Sequence, residues 1–195
     1  MVDYKIILSV SAIIIGFIGY APYLRDVFLK KTKPHAFSWF AWGVLESVAF
    51  FAQISKGGGV GAWITAVSAA VALFVAGIAL YRKETEIKIF DWVALIGALV
   101  GIILWRLTNN PLLAVILVTA SDALAFMPTF RKSYYQPGQE TLVEYSCAAA
   151  KWMLAIFALQ SFNLTTILYP ASLILTNSSF VAMSLIRRKV LRAVS

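Results

Sequence analysis

The chain has 195 residues, 61% of them hydrophobic and only 13% charged, with a mean hydropathy of +0.81 and a net charge of +8. A soluble domain carries about 45–50% apolar and about 25% charged residues, so this composition excludes the soluble enzyme classes and reads as an integral membrane protein. One cysteine, Cys147, excludes a disulfide framework or thiolate cluster, and one histidine, His35, excludes a bis-histidine haem or histidine-rich metal site, so no cofactor is expected.

Seven apolar stretches follow in chain order, at 4–24, 36–55, 60–81, 89–107, 110–130, 141–161 and 164–186. Each is about long enough to cross the hydrocarbon core as a helix. None alternates apolar with polar, as a membrane strand would. The breaks carry turn signals: Lys33-Pro34, Gly57-Gly58-Gly59, Asn109-Asn110-Pro111, Gln136-Pro137-Gly138 and Asn163. Asp3 and Lys5 lead straight into the first apolar run, which is therefore expected to be retained rather than cleaved as a signal peptide.

The basic residues set the orientation. In a soluble protein a charge of +8 would suggest nucleic acid; in a membrane protein basic loops mark the inner side, and no nucleic-acid partner is expected. Thirteen of the seventeen lysines and arginines fall after helices 1, 3, 5 and 7, against Lys5, Lys56 and Arg106 on the other side and Lys151 inside helix 6. The N-terminus is expected outside and the C-terminus in the cytoplasm, in the plasma (inner) membrane.

The chain repeats itself at an offset of 106 residues. Pro22 falls on Pro128, Arg25 on Arg131, Phe74-Val75-Ala76 on Phe180-Val181-Ala182, and Arg82-Lys83 on Arg188-Lys189, without a gap. The expected fold is all-α: a first three-helix unit over 1–83, a linker helix within 84–108, a second unit over 109–188 and a basic tail at 189–195. Because the linker crosses once, the two units run parallel about an axis along the membrane normal, which places a binding site at their interface.

This 3+1+3 pattern, with Pro22 and Pro128 near the inner ends of the first helix of each unit and a basic segment after each, resembles the SWEET and PQ-loop transporter superfamily, as a divergent seven-helix member of the prokaryotic type. The family's proline-glutamine pairs read Pro22-Tyr23 and Pro128-Thr129 here, so the prolines stand and the glutamines do not. The resemblance implies a transporter of a sugar or similar small metabolite, facilitative or proton-coupled, or else a receptor or sorting protein on the same scaffold. It also implies a substrate-site role for Asn177, on the third helix of the second unit. Its partners would be a small solute and membrane lipids, with the chain as a monomer or homo-oligomer.

Read without the family, each proline permits a kink or marks a helix end; their matching positions favour hinges. Charged residues inside a bilayer are costly and face the bundle interior. Glu46 and Lys151 lie at matching depth on helices 2 and 6, so an ion pair between the halves is expected, as a gate or coupling pair or as a clamp. Asp122, opposite Gly16 in the repeat, is a lone carboxylate and the candidate for proton coupling, while Glu144 is expected near the inner interface. Asn177, within Thr176-Asn177-Ser178-Ser179, offers an amide to a hydroxylated solute. Its repeat position in the first unit is Val71, with Ser68 one turn earlier as that unit's polar contribution. Trp152 is the expected aromatic wall of the site, Trp42 an anchor or a wall, and Trp39 an interfacial anchor. No lysine lies within the last apolar span, 164–186, which argues against a retinal Schiff base, and no GxSxG motif or histidine within a span supports a membrane hydrolase.

Overall fold

The computed structural model describes residues 3–30, 34, 36–83, 89–138 and 142–194, apart from the side chains of 128, 132 and 192–194. The expectations for His35 and for Lys31, Lys33 and Lys88, and for the side chains of Pro128, Lys132 and Arg192, lie outside the described residues. Among the described residues seven helices follow one another: α1 (Tyr4–Phe28), α2 (Ala36–Ser55), α3 (Ala62–Tyr81), α4 (Ile89–Thr108), α5 (Pro111–Tyr135), α6 (Leu142–Ala158) and α7 (Leu164–Val194), with a short 3₁₀ turn at Gly59–Gly61 before α3. Six are long and apolar enough to cross a membrane; α6, at 17 residues, is the shortest.

The helix ends follow local chemistry. The Asp3 carboxylate caps α1 by accepting from the Lys5 amide at 3.0 Å. Asn110 accepts from the Leu112 amide at 3.1 Å, and Pro111, which has no N–H to leave unpaired, opens α5. Asn163 accepts from the Thr166 amide at 3.2 Å at the start of α7. The expected end of α1 at 24 is corrected: the helix runs to Phe28, with Pro22 inside it and exposed. Likewise α5 runs through position 128 to Tyr135, and α7 continues to Val194. Neither proline position therefore ends its helix.

Packing between the helices uses small residues, as expected where no hydrophobic force separates helix from lipid. Ala12, Ala41, Ala49, Ala52, Ala98 and Ala155 are all buried in the central core. Many large apolar side chains point outward, among them Ile14 and Ile18 on α1, Phe74 on α3, Leu99 and Ile103 on α4, and Leu175 on α7, while Leu45, Ile64, Tyr169 and Phe180 are buried. Helix α1 packs on α6 and α3, α2 on α3, α4 and α5, α4 on α5, and α7 on α5 and α6.

Two sets of hydrogen bonds identify which loops share an end. At the amino-terminal end, the Lys5 ammonium donates to the Leu159 carbonyl at 2.8 Å, the Gln160 amide to Gly58 at 3.1 Å, and the Asn163 side chain to Lys56 at 3.2 Å. At the opposite end, Arg82 donates to the Val27 carbonyl at 2.6 Å and Arg188 to the Pro137 carbonyl at 2.8 Å. Arg82, just after α3, thus reaches the last turn of α1, and Arg188, within α7, reaches the chain just beyond α5. These are the arginines that coincide in the sequence repeat.

Candidate functional site

A cavity of about 520 Å³ lies between the helices. It is lined by the second half of α1, the first half of α2, Ala72 of α3, the start of α4, the second half of α5, much of α6 and the first half of α7. Among the described residues the lining is buried at depth, where Trp152, Tyr169 and Asn177 sit, and half-buried at Tyr23, Ser38, Phe90, Thr129 and Glu144. These last five stand near the ends of helices joined by the 1–2, 3–4 and 5–6 connections, so the mouth faces that end.

The other end is closed. Gln53, 1% exposed, donates from Nε2 to the Thr166 carbonyl at 3.1 Å and accepts from the Thr65 hydroxyl at 2.8 Å. Pro170 lies four residues beyond Thr166 within α7 and has no N–H to offer its carbonyl. Gln53 supplies the missing donor. Gly61 allows the 3₁₀ turn to lie directly on the end of α6, where a Cβ would meet the Leu159 nitrogen at 2.6 Å.

The lining obeys the sequence offset. Every residue that α1 and α2 contribute has its counterpart 106 positions later on α5 or α6, also lining the cavity. Gly16 answers to Asp122, Tyr20 to Phe126, Tyr23 to Thr129, Trp39 to Tyr145, Trp42 to Ala148 and Glu46 to Trp152. The geometry repeats as well as the position. Tyr20 meets Trp39 edge to face at 6.4 Å, and Phe126 meets Tyr145 edge to face at 5.9 Å. Among the described residues Lys151 is the one lining residue of α5 and α6 whose counterpart, Leu45, is absent from the wall. The frame is therefore regular while the charges are not: Glu46, Asp122, Glu144 and Lys151 each face an uncharged residue at the corresponding position.

The expected site residues are distributed as follows. Asn177 is 7% exposed, lines the cavity, and donates from Nδ2 to the Leu173 carbonyl of its own helix at 2.7 Å. Trp152 and Trp42 line it too, as do Glu46, Asp122 and Lys151. The expected Glu46–Lys151 ion pair is not formed. Among the described residues the only ion pair within 4.0 Å is Arg25–Asp26. Lys151 instead crosses to α3, where its ammonium donates to the Ser68 hydroxyl at 2.8 Å and lies 5.1 Å from the Tyr20 ring centroid and 4.5 Å from that of Trp152. Its stem passes over Gly16, where a Cβ would fall 2.9 Å from Lys151 Cδ. Ser68 therefore lies off the main cavity, on a minor pocket beside it, and holds the lysine.

Sequence reasoning missed three contributions. Trp39 is not an interfacial anchor: it is 8% exposed, stacks at 5.1 Å on Tyr23, and donates its indole N–H to the Tyr23 hydroxyl at 2.9 Å. Its repeat partner Tyr145 was the available signal. Asp91, in the first turn of α4, is 5% exposed and lines the cavity; an acid there reads as an ordinary dipole-matched helix start. Pro170 left no repeat partner to mark it. Comparison of the chain with protein families, with curated proteins and with solved structures finds no match.

Proposed function

We propose that the protein is a membrane carrier that moves a small polar solute, a sugar or similar metabolite, by alternating access on a 3+1+3 frame of the SWEET and PQ-loop kind. The observation that supports this reading is the coincidence of the cavity wall with the 106-residue offset, as a solute site between two equivalent units would require. The contacts agree: α1 on α6 and α2 on α5 are the same contact exchanged between units. A cavity with its mouth at one end and hydrogen bonds across the other is one of the two states that alternating access requires. Asn177 and Trp152 are the solute contacts, with Trp42 beside them, and positions 22 and 128 are the hinges. Asp122 is the candidate coupling group, and Glu46 and Lys151 the gating charges. The N-terminus is outside and the C-terminus cytoplasmic, in the plasma (inner) membrane.

Counterflow of labelled solutes in liposomes holding the purified chain tests this. Exchange that depends on the protein is the expected result. Saturable binding without exchange makes the protein a receptor or sorting protein on the same scaffold. Uptake with and without an inward proton gradient, for the native chain and Asp122→Asn, separates the two modes. Gradient-driven accumulation lost in the variant identifies coupling; equal exchange in both identifies facilitated diffusion.

A further inference from the structure

We propose that the solute is an organic cation, a protonated or quaternary amine on an apolar body, seated with its charged end between Glu46 and Asp122. The proposal replaces the sugar of the carrier reading with a cation and rests on that reading only for what happens after binding.

Among the described residues that line the cavity, Glu46, Asp91, Asp122 and Glu144 carry carboxyls and Lys151 an amine, and Asp91 and Glu144 have interactions of their own. The amine is engaged elsewhere, with Ser68 and two rings. Glu46 and Asp122 are each 8% exposed. Among the described residues neither makes a hydrogen bond or an ion pair within 4.0 Å, and both face the cavity. They line the one cavity from helices that pack on each other, Glu46 from α2 and Asp122 from α5. Two buried carboxyls with no ion pair within 4.0 Å are costly to keep charged in a low-dielectric interior, and each meets that cost with a proton or with a cation. A cation between them removes that cost; a neutral polyol leaves it in place, even while donating hydroxyl hydrogen bonds.

The walls suit a cation with carbon on it. Tyr20, Trp39, Trp42, Tyr145, Trp152 and Tyr169 all face the cavity. Ring faces within about 6 Å attract ammonium groups. Lys151 shows this chemistry in place, with its own ammonium inside that distance of Tyr20 and Trp152. A bare metal ion fits less well, because no group of three or more acidic, histidine or cysteine side chains among the described residues could hold one. The volume of about 520 Å³ accommodates a molecule well beyond the size of an ion.

The experiment measures binding by calorimetry to the purified full chain in lipid nanodiscs. The probes are choline and its neutral carbon isostere 3,3-dimethylbutanol, phenethylammonium and its neutral isostere 2-phenylethanol, and glucose. The expected result is that at least one cation binds about tenfold or more tightly than its isostere, with the preference falling about tenfold in Glu46→Gln and in Asp122→Asn. Isosteres that bind as well as the cations, or a full set of probes that fails to bind, overturn the proposal. So does a cation preference that survives both substitutions. Should either variant fail to fold, the isostere comparison on the native chain decides alone. Glucose binding without cation binding overturns this proposal and leaves the carrier reading standing. Cation binding without counterflow does the reverse.

Discussion

Gln53 and the Thr166 carbonyl, 113 residues apart in the chain, are joined at 3.1 Å because Pro170 cannot make the helical bond that would otherwise satisfy that carbonyl. The contact ties the end of α2 to the start of α7 at the closed end of the cavity. Replacing Gln53 with leucine leaves a buried carbonyl and the Thr65 hydroxyl without partners. The expected loss is about 1–3 kcal/mol, read as thermal unfolding in detergent. Pro170→Ala returns an N–H to α7 and should recover part of that loss in the double variant. Strict additivity of the two changes would show that the carbonyl is satisfied another way.

Close approach of backbones at the same end gives a second test. A Cβ at Gly61 would fall 2.6 Å from the Leu159 nitrogen and 2.9 Å from the Ala155 carbonyl oxygen, atoms that move only with α6. At Gly77 a Cβ meets nothing within 4 Å. Gly61→Ala should lower stability by about 1–3 kcal/mol, as overpacking does. Gly77→Ala should be neutral or slightly stabilising, since alanine favours the helix by up to about 1 kcal/mol. Equal behaviour of the two variants would contradict the packing of the 3₁₀ turn on α6.

Lys151 should couple more strongly to Ser68 than to Glu46. Its ammonium touches the Ser68 hydroxyl at 2.8 Å, whereas no carboxylate lies within 4.0 Å of it among the described residues. A hydrogen bond to a charged group is worth about 1.5–3 kcal/mol. Double-mutant cycles in unfolding experiments, pairing Lys151→Met with Ser68→Ala and with Glu46→Gln, measure both couplings. A larger coupling to Glu46 would mean that the lysine turns towards α2.

The helices were legible because each apolar run is bounded by chemistry that acts locally: Asp3, Asn110-Pro111 and Asn163 cap where the sequence places them. The cavity's aromatic frame was half legible, since Trp152 and Trp42 stood out but Trp39 resembled an anchor. Depth along a helix is readable from sequence, yet the direction of a side chain around it is set by its neighbours. That is why Glu46 and Lys151 share a depth without sharing a bond. Gly16 removes the obstacle between α6 and α3, and Ser68 offers an oxygen beyond it, so the lysine goes there. Asp91 was hidden by its position at a helix start, where carboxylates are ordinary.

Cys147 is a built-in reporter of the mouth. It is the sole cysteine, half-buried, and lines the cavity on α6 beside Gly19. A small impermeant methanethiosulfonate should modify it from the side that carries the 1–2, 3–4 and 5–6 connections. Under the proposed orientation that side is cytoplasmic, so inside-out vesicles should label and intact cells should not. Labelling from outside alone would reverse the topology.

The carrier reading makes its most specific demand on the closed end. If the solute crosses, the contacts between the 2–3 turn and the α6–α7 connection must part in every cycle; if the protein only binds, they need not. Gly57 and Ser161 sit across that boundary, and a Cβ at position 57 would lie 3.4 Å from the Ser161 Cβ. Disulfides span about 3.5–4.5 Å between Cβ atoms, so Gly57→Cys with Ser161→Cys, on a Cys147→Ser background, should cross-link. Gly57 has a φ of +76°, so a cysteine there costs about 1–2 kcal/mol. That weakens the closed end of the reduced protein slightly, which favours opening and works against the predicted effect. The oxidised protein should bind solute from the mouth with unchanged affinity, since the bridge lies away from the wall. Counterflow should fall to background and return on reduction with dithiothreitol. Flux that continues through the oxidised protein would show that the solute does not pass this end, and alternating access at this boundary would be wrong.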